Sequence, residues 1–358
     1  MISTFYIIQV TIFFILLLLI TYVYLICRRF RNFLYENHKR AWMEQHIEEI
    51  EMYFISGEGV SSFIPFKPFH FDVLEDFSSN YLSNFQTESD FNPVKPFVEQ
   101  YFVPRYRKRL FHSRWSVRMN TLYFIDLFKI DMMQDDLLKL LKSKKSSPEE
   151  RYQIFLILAG FEYPYLLDLI KVSKRLPPFL FNDLMSRLIT SDNFESYVQN
   201  FNDFSFEWKL SIIDIFGKKN LRSLKLQELL EGLLNDNNRE IRLKAAKTIA
   251  SLEYISSPDL IIRILDGNFQ KKEWQDPQSI NERMMMARLM GSIREERFLP
   301  YLKLLVSDKG YIVRSEAARS IRKYRDGKKI LLSITTSHPD NYARNIAKEW
   351  VERSIDYE

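Results

Sequence analysis

Three stretches of this chain share one spacing: from an arginine, apolar residues follow at three, four, seven and ten positions. They are Arg242 with Ala245, Ala246, Ile249 and Leu252; Arg283 with Met286, Ala287, Met290 and Ile293; and Arg314 with Ala317, Ala318, Ile321 and Tyr324. The interval places each set on one face of an α-helix. Upstream of two of them lies a second apolar helix and an acidic turn, Leu229 to Leu234 before Asp236 and Leu302 to Leu305 before Asp308. In both cases the aspartate precedes the arginine by six residues. A sequence built this way must fold as tandem helix pairs that bury their apolar faces on one another.

The template continues outward with lower fidelity. Arg118, Arg151, Phe181, Lys209 and Arg344 each lead an apolar set of the same kind, as in Arg151 with Ile154, Phe155, Leu158 and Phe161. Successive anchors at 118, 151, 181, 209, 242, 283, 314 and 344 lie 33, 30, 28, 33, 41, 31 and 30 residues apart. Most of these intervals suit two helices of about 12 residues and two turns.

The run Leu233-Leu234-Asn235-Asp236 to Ile241-Arg242-Ala245-Ala246, and its counterpart Leu305-Val306-Ser307-Asp308 to Val313-Arg314-Ala317-Ala318, resembles the HEAT-repeat family, especially its bacterial short-repeat branch. The likeness is good over roughly 224–329 and only periodic over 115–221. It departs at Pro277 and His338, which stand where aspartates are expected before Arg283 and Arg344; those repeats are expected to stack less regularly. The resemblance implies an all-α fold, a right-handed α-solenoid of HEAT-like helix pairs, and a scaffold rather than a catalyst. Asp236 and Asp308 are expected to cap the second helix of their repeats, with Arg242, Arg283 and Arg314 as structural repeat residues and Arg242 and Arg314 bridging to the neighbouring repeat.

Two features suggest where a partner would bind. The interval of 41 makes room for an insertion around 270–281 that contains Trp274. Loops on one edge of such arrays carry function, although Trp274 serves equally to cover an apolar edge. Lys247, Arg288 and Arg319 each fall five residues after their anchor, with Arg322 close behind. On stacked helices they form a row suited to an acidic partner surface, phosphates or anionic lipid, or else an ordinary solvated face.

The first 27 residues carry no charge, and Ile7 to Ile26 is apolar except for Gln9, Thr11 and Thr21. Twenty helical residues rise about 30 Å, the thickness of a bilayer's hydrocarbon core. No basic start precedes the run and no small-x-small pattern follows it, so a retained transmembrane anchor over 1–27 is expected instead of a cleaved signal. Arg28, Arg29, Arg31, Lys39 and Arg40 follow it against Glu36 alone. By the positive-inside rule the chain is a single-pass cell-membrane protein with its N-terminus outside and the rest cytoplasmic. The single cysteine, Cys27, fits a reducing compartment.

Residues 28–55 read as a juxtamembrane helix, since apolar positions keep helical spacing and no Gly or Pro interrupts them. Residues 56–104 change character: five prolines and ten of the chain's 29 phenylalanines lie between Phe54 and Pro104. That is too aromatic for a solvated linker, and it reads either as a cap on the array or as a docking surface, including the run Ile64 to Phe69. The solenoid is assigned to 105–358. Charge is patterned rather than spread: residues 28–40 carry +4, 105–118 carry +6 and 301–353 carry +6, so a chain of net +5 has −11 elsewhere.

Motifs for catalysis are absent from the sequence. Gly217-Lys218-Lys219 and Gly327-Lys328-Lys329 lack the first glycine and the hydroxyl of a phosphate loop, and there is no nucleophile elbow or His-Glu ligand pair. No cofactor and no enzymatic activity are expected. The expected function is a membrane-anchored cytoplasmic scaffold for a protein partner, such as a membrane-associated envelope glycosyltransferase. Alternatives by family analogy are a nucleic-acid-binding protein of the alkylpurine DNA glycosylase type, against which the anchor and acidic remainder argue, and a bilin-lyase-like enzyme.

Overall fold

The structure, a computed structural model, describes residues 2–56, 63–84, 91–172, 176–269 and 279–353. It is built from α-helices, nineteen of them, with no strand among the described residues. The chain divides into two compact units, Met1–Leu166 and Leu167–Glu358.

The first unit begins with α1 (Ile2–Ser56), one unbroken helix through a stretch that contains neither glycine nor proline. At 1.5 Å per residue it is about 80 Å long. Its apolar first half is exposed (Leu18 68%) and is long and apolar enough to cross a membrane. Its second half buries Ile50, Tyr53 and Phe54, and packs on α2 (Pro68–Asn84) and α3 (Phe91–Tyr101). Several of the phenylalanines that crowd this region form a core here. Phe54, Phe63 and Phe97 are at most 1% exposed and meet with ring centroids 5.6–6.0 Å apart, tilted or edge-on. Such pairs add about 0.5–1.5 kcal/mol each beyond area burial. Phe66 behaves differently; it is 74% exposed, with the Lys67 ammonium over its ring.

The unit continues through α4 (Val103–Leu110), α5 (Trp115–Leu127), α6 (Gln134–Lys142) and α7 (Pro148–Gly160). Here α5 packs on both α4 and α7, and α6 backs onto α7. A capping box at Ser147 and Glu150 starts α7. The short α8 (Leu166–Val172) follows.

The second unit contains α9 (Pro178–Leu188), α10 (Phe194–Gln199), α11 (Phe206–Lys218), α12 (Leu224–Leu233), α13 (Arg239–Leu252), α14 (Pro258–Phe269), α15 (Ile280–Ile293), α16 (Leu299–Leu305), α17 (Tyr311–Arg322), α18 (Gly327–Ser337) and α19 (Asn341–Glu352). Alternate helices pack in series, α9 on α11, α11 on α13, and so on to α19. Intervening helices α12, α16 and α18 back onto that row. The repeated small residues explain the closeness of the packing. Ala245, Ala287, Ala317, Ala318 and Ala347 are all fully buried. At Gly291 a Cβ would come within 2.8 Å of the Ser320 Cα on α17, so only glycine fits that crossing.

Candidate interaction surfaces

The anchor arginines close the turns that start their helices. In α13 the Arg242 Nη1 donates to the carbonyls of Asp236 (2.8 Å) and Asn237 (3.1 Å). In α17 the Arg314 Nη1 donates to those of Asp308 (2.8 Å) and Lys309 (3.1 Å). Arg118 in α5 serves His112 and Ser113 in the same way, and Arg344 in α19 serves His338 and Pro339. These carbonyls lie in exposed or half-buried turns before the helix starts, and the guanidinium gives each of them a charge-assisted partner. The six-residue spacing is therefore the reach of a guanidinium from the helix's second turn back to the preceding turn.

Asp236 and Asp308 do not cap their helices, which corrects the expectation drawn from the resemblance. The cap of α13 is Asn238, whose side chain accepts from the Glu240 N–H. Asp236 sits two residues earlier and accepts from the Asn238 N–H at 2.7 Å; Asp308 does the same for Gly310 at 2.7 Å. The caps themselves are held in place by the aspartates. Histidine performs this role twice, since His112 Nδ1 accepts from the Arg114 N–H and His338 Nδ1 from the Asp340 N–H. The turn before Arg344 is consequently built like the others, against the expectation of irregularity at His338.

In three of these four arginines, and in Arg283, the rest of the guanidinium reaches the next helix pair. Arg118 grips Glu150 (2.7 and 3.2 Å). Arg242 grips Glu282 (2.9 and 2.6 Å), and Arg283 grips Asp308 (2.5 and 3.2 Å). Arg314 instead lies 5.1 Å from the ring centroid of Tyr342 on α19, a cation–π contact. Glu150 and Glu282 each stand one residue before an anchor, a signal present in the sequence but 32 and 40 residues from its partner.

The structure interleaves the proposed cationic row with acids. Lys247 is 59% exposed and 3.9 Å from Asp214 on α11, which also binds Lys244. Arg288 on α15 makes two hydrogen bonds to Glu316 on α17, and Arg319 approaches the same carboxylate at 3.9 Å. Arg322 is half-buried on the same helix. Lys247 and Arg288 therefore pair with acids of the adjacent helix and Arg319 with an acid of its own helix, leaving Lys247 as the row's most exposed member. Trp274 and Pro277 lie outside the described residues.

A more open feature was not foreseen from the sequence. A cavity of about 330 Å³ lies between α12 and the end of α13, lined by Leu221, Leu224, Leu230, Ile249, Leu252 and Tyr254. Leu224 (72%) and Tyr254 (54%) remain exposed at its edge.

Buried carboxylates elsewhere all have structural partners. Glu231 accepts from the Ser256 N–H and hydroxyl, both at 2.5 Å, and from Gln227 at 3.2 Å. Glu75 meets Arg109 at 2.9 Å, yet burial outweighs its arginines and lifts its carboxyl above the usual range. Among the described residues no three His, Cys, Asp or Glu side chains come together to hold a metal. No family model matches the chain, and no curated protein matches it.

Proposed function

We propose that this chain is a membrane-anchored scaffold: α1 crosses the membrane through its charge-free first half, and the helix pairs form a right-handed HEAT-like solenoid on the cytoplasmic side that engages a protein partner. The observation that carries this reading is the turn repeated at 112–118, 236–242, 308–314 and 338–344, in which one arginine both closes its own turn and, in three cases, contacts the next helix pair. A device that couples one helix pair to the next supports a tandem array, whose extended faces suit protein binding. Carboxylates committed to structural partners support an adaptor rather than an enzyme.

Within this reading the apolar cavity edged by Leu224 and Tyr254 is a better partner surface than the ion-paired row, because its exposed apolar side chains have no internal role. Co-purification of the detergent-solubilised full chain tests it. Leu224→Glu with Tyr254→Glu should lose a partner that Lys247→Glu retains. A partner set identical in both variants would refute this surface, and no stoichiometric partner at all would refute the scaffold.

A further inference from the structure

The region where α1 leaves its apolar stretch carries arginines that meet no acid. Arg28, Arg29, Arg31 and Arg40 are exposed and form no ion pair among the described residues. Arg28 and Arg31 precede Tyr35 by seven and four residues, so all three share one face of the helix. That face leads directly to a second cluster. The Tyr35 hydroxyl donates to one oxygen of Asp72, and the other oxygen accepts from Arg105 Nη2 at 2.6 Å. Arg105 borders an open cleft of about 650 Å³, along with Pro68, Phe71, Lys108, Arg109 and His112. Arg105 and Arg109 are balanced by Asp72 and Glu75, whereas Lys108 is exposed and unpaired.

We propose that this face of α1 and the cleft beside it bind the phosphodiester headgroup of an anionic phospholipid. The inference rests on the reading of α1 as a membrane span. Tyr35 is eight residues beyond Cys27, about 12 Å along the helix. The cleft thus lies just below the headgroup layer, with Arg28 and Arg31 between it and the hydrocarbon. Guanidinium and ammonium groups supply charge-assisted bonds to phosphate oxygens. Phe71, whose ring lies 4.8 Å from the Arg105 guanidinium, and Pro68 provide an apolar wall for the glycerol end. Each cation near an anionic leaflet contributes about fivefold in affinity.

The test uses the full chain reconstituted in phosphatidylcholine vesicles with and without 20 mol% phosphatidylglycerol, the probe lipid, followed by native mass spectrometry of retained lipid. Wild type should retain phosphatidylglycerol in preference to phosphatidylcholine. Arg31→Gln with Lys108→Gln should cut that preference about 25-fold on the fivefold figure; neither side chain has a folding partner to lose. Arg29→Gln with Arg40→Gln removes the same charge from other faces of α1 and should cost no more than about fivefold, the share of Arg29 beside the leaflet, since those side chains point away from the cleft. Equal losses in the two variants would overturn the site in favour of a diffuse charge effect. So would displacement of the lipid by soluble glycerol phosphate at the same concentration. Insertion into vesicles with no lipid preference would overturn the site while leaving the span intact; failure to insert at all would overturn both.

Discussion

Replacing Arg118 with methionine isolates the coupling that joins one helix pair to the next. The Arg118 side chain is 10% exposed and the Glu150 side chain 0%, with the two joined through Nε at 2.7 Å and Nη2 at 3.2 Å. Removing one partner of a buried pair leaves a charge with nothing to balance it, at a cost of about 3–5 kcal/mol. The carbonyls of His112 and Ser113 also lose their donor, but they sit in an exposed turn where water replaces it, so the total stays within that range. Glu150→Gln in the same chain should recover about 2 kcal/mol or more, because the buried charge is gone. Glutamine still accepts from the Ser147 N–H, so the capping box survives. Hydrogen exchange of the detergent-solubilised full chain reads this locally. Amides of α5 and α7 should exchange about a thousandfold faster in Arg118→Met, at 1.4 kcal/mol per tenfold, with much of the protection restored in the double variant. A loss below about 1 kcal/mol, or a double variant no better than the single, would refute the coupling.

Three further outcomes follow from the packing. Gly291→Ala should destabilise the second unit by about 1–3 kcal/mol because its Cβ meets the Ser320 backbone, while Gly232→Ala, with nothing within 4 Å, should be neutral or stabilising by up to about 1 kcal/mol; urea midpoints compare them. Tyr324 donates to the carbonyls of Met290 (2.8 Å) and Glu295 (3.2 Å), so Tyr324→Phe should lower stability by about 1–3 kcal/mol in the same assay. His70 is 2% exposed and stacked on Trp42; burial, then Lys67 and His46, hold its pKa below the ordinary value. Its folded state resists a proton that the unfolded chain accepts near pH ~6.5, so stability is full above that pH and falls as pH drops below it. His70→Phe should flatten that decline between pH 7.5 and 5, and an unchanged slope would show that another group sets it.

The helical faces were legible in the sequence because burial repeats with the period of the helix. Ala245, Ala246 and Ile249, Met286, Ala287 and Met290, and Ala317, Ala318 and Ile321 are all at most 6% exposed. The unbroken helix through 28–55 was legible for a similar reason, as nothing in the stretch interrupts it. The turn chemistry was hidden because it depends on acceptor geometry rather than residue type. An aspartate and a histidine Nδ1 accept the same N–H, so His112 and His338 looked like departures. Asn238 held the cap position that the resemblance assigned to Asp236. The ion pairing of the cationic row was hidden for a different reason. Counting charges along one helix cannot see Asp214 and Glu316 arriving from neighbouring helices. The phenylalanines of 56–104 left two readings open; among the described residues Phe63, Phe97 and Phe102 are buried in a core, Phe69, Phe71 and Phe77 are half-buried, and Phe66 stays exposed.

The most direct test of the scaffold reading is photo-crosslinking in living cells from a benzophenone amino acid at position 224, beside the apolar cavity. A discrete adduct with one protein, lost when Tyr254→Glu is added and absent from a probe at position 329 on α18, is the result expected. Adducts only with lipid, or none from position 224 or 254, would contradict the claim that this chain holds a protein partner.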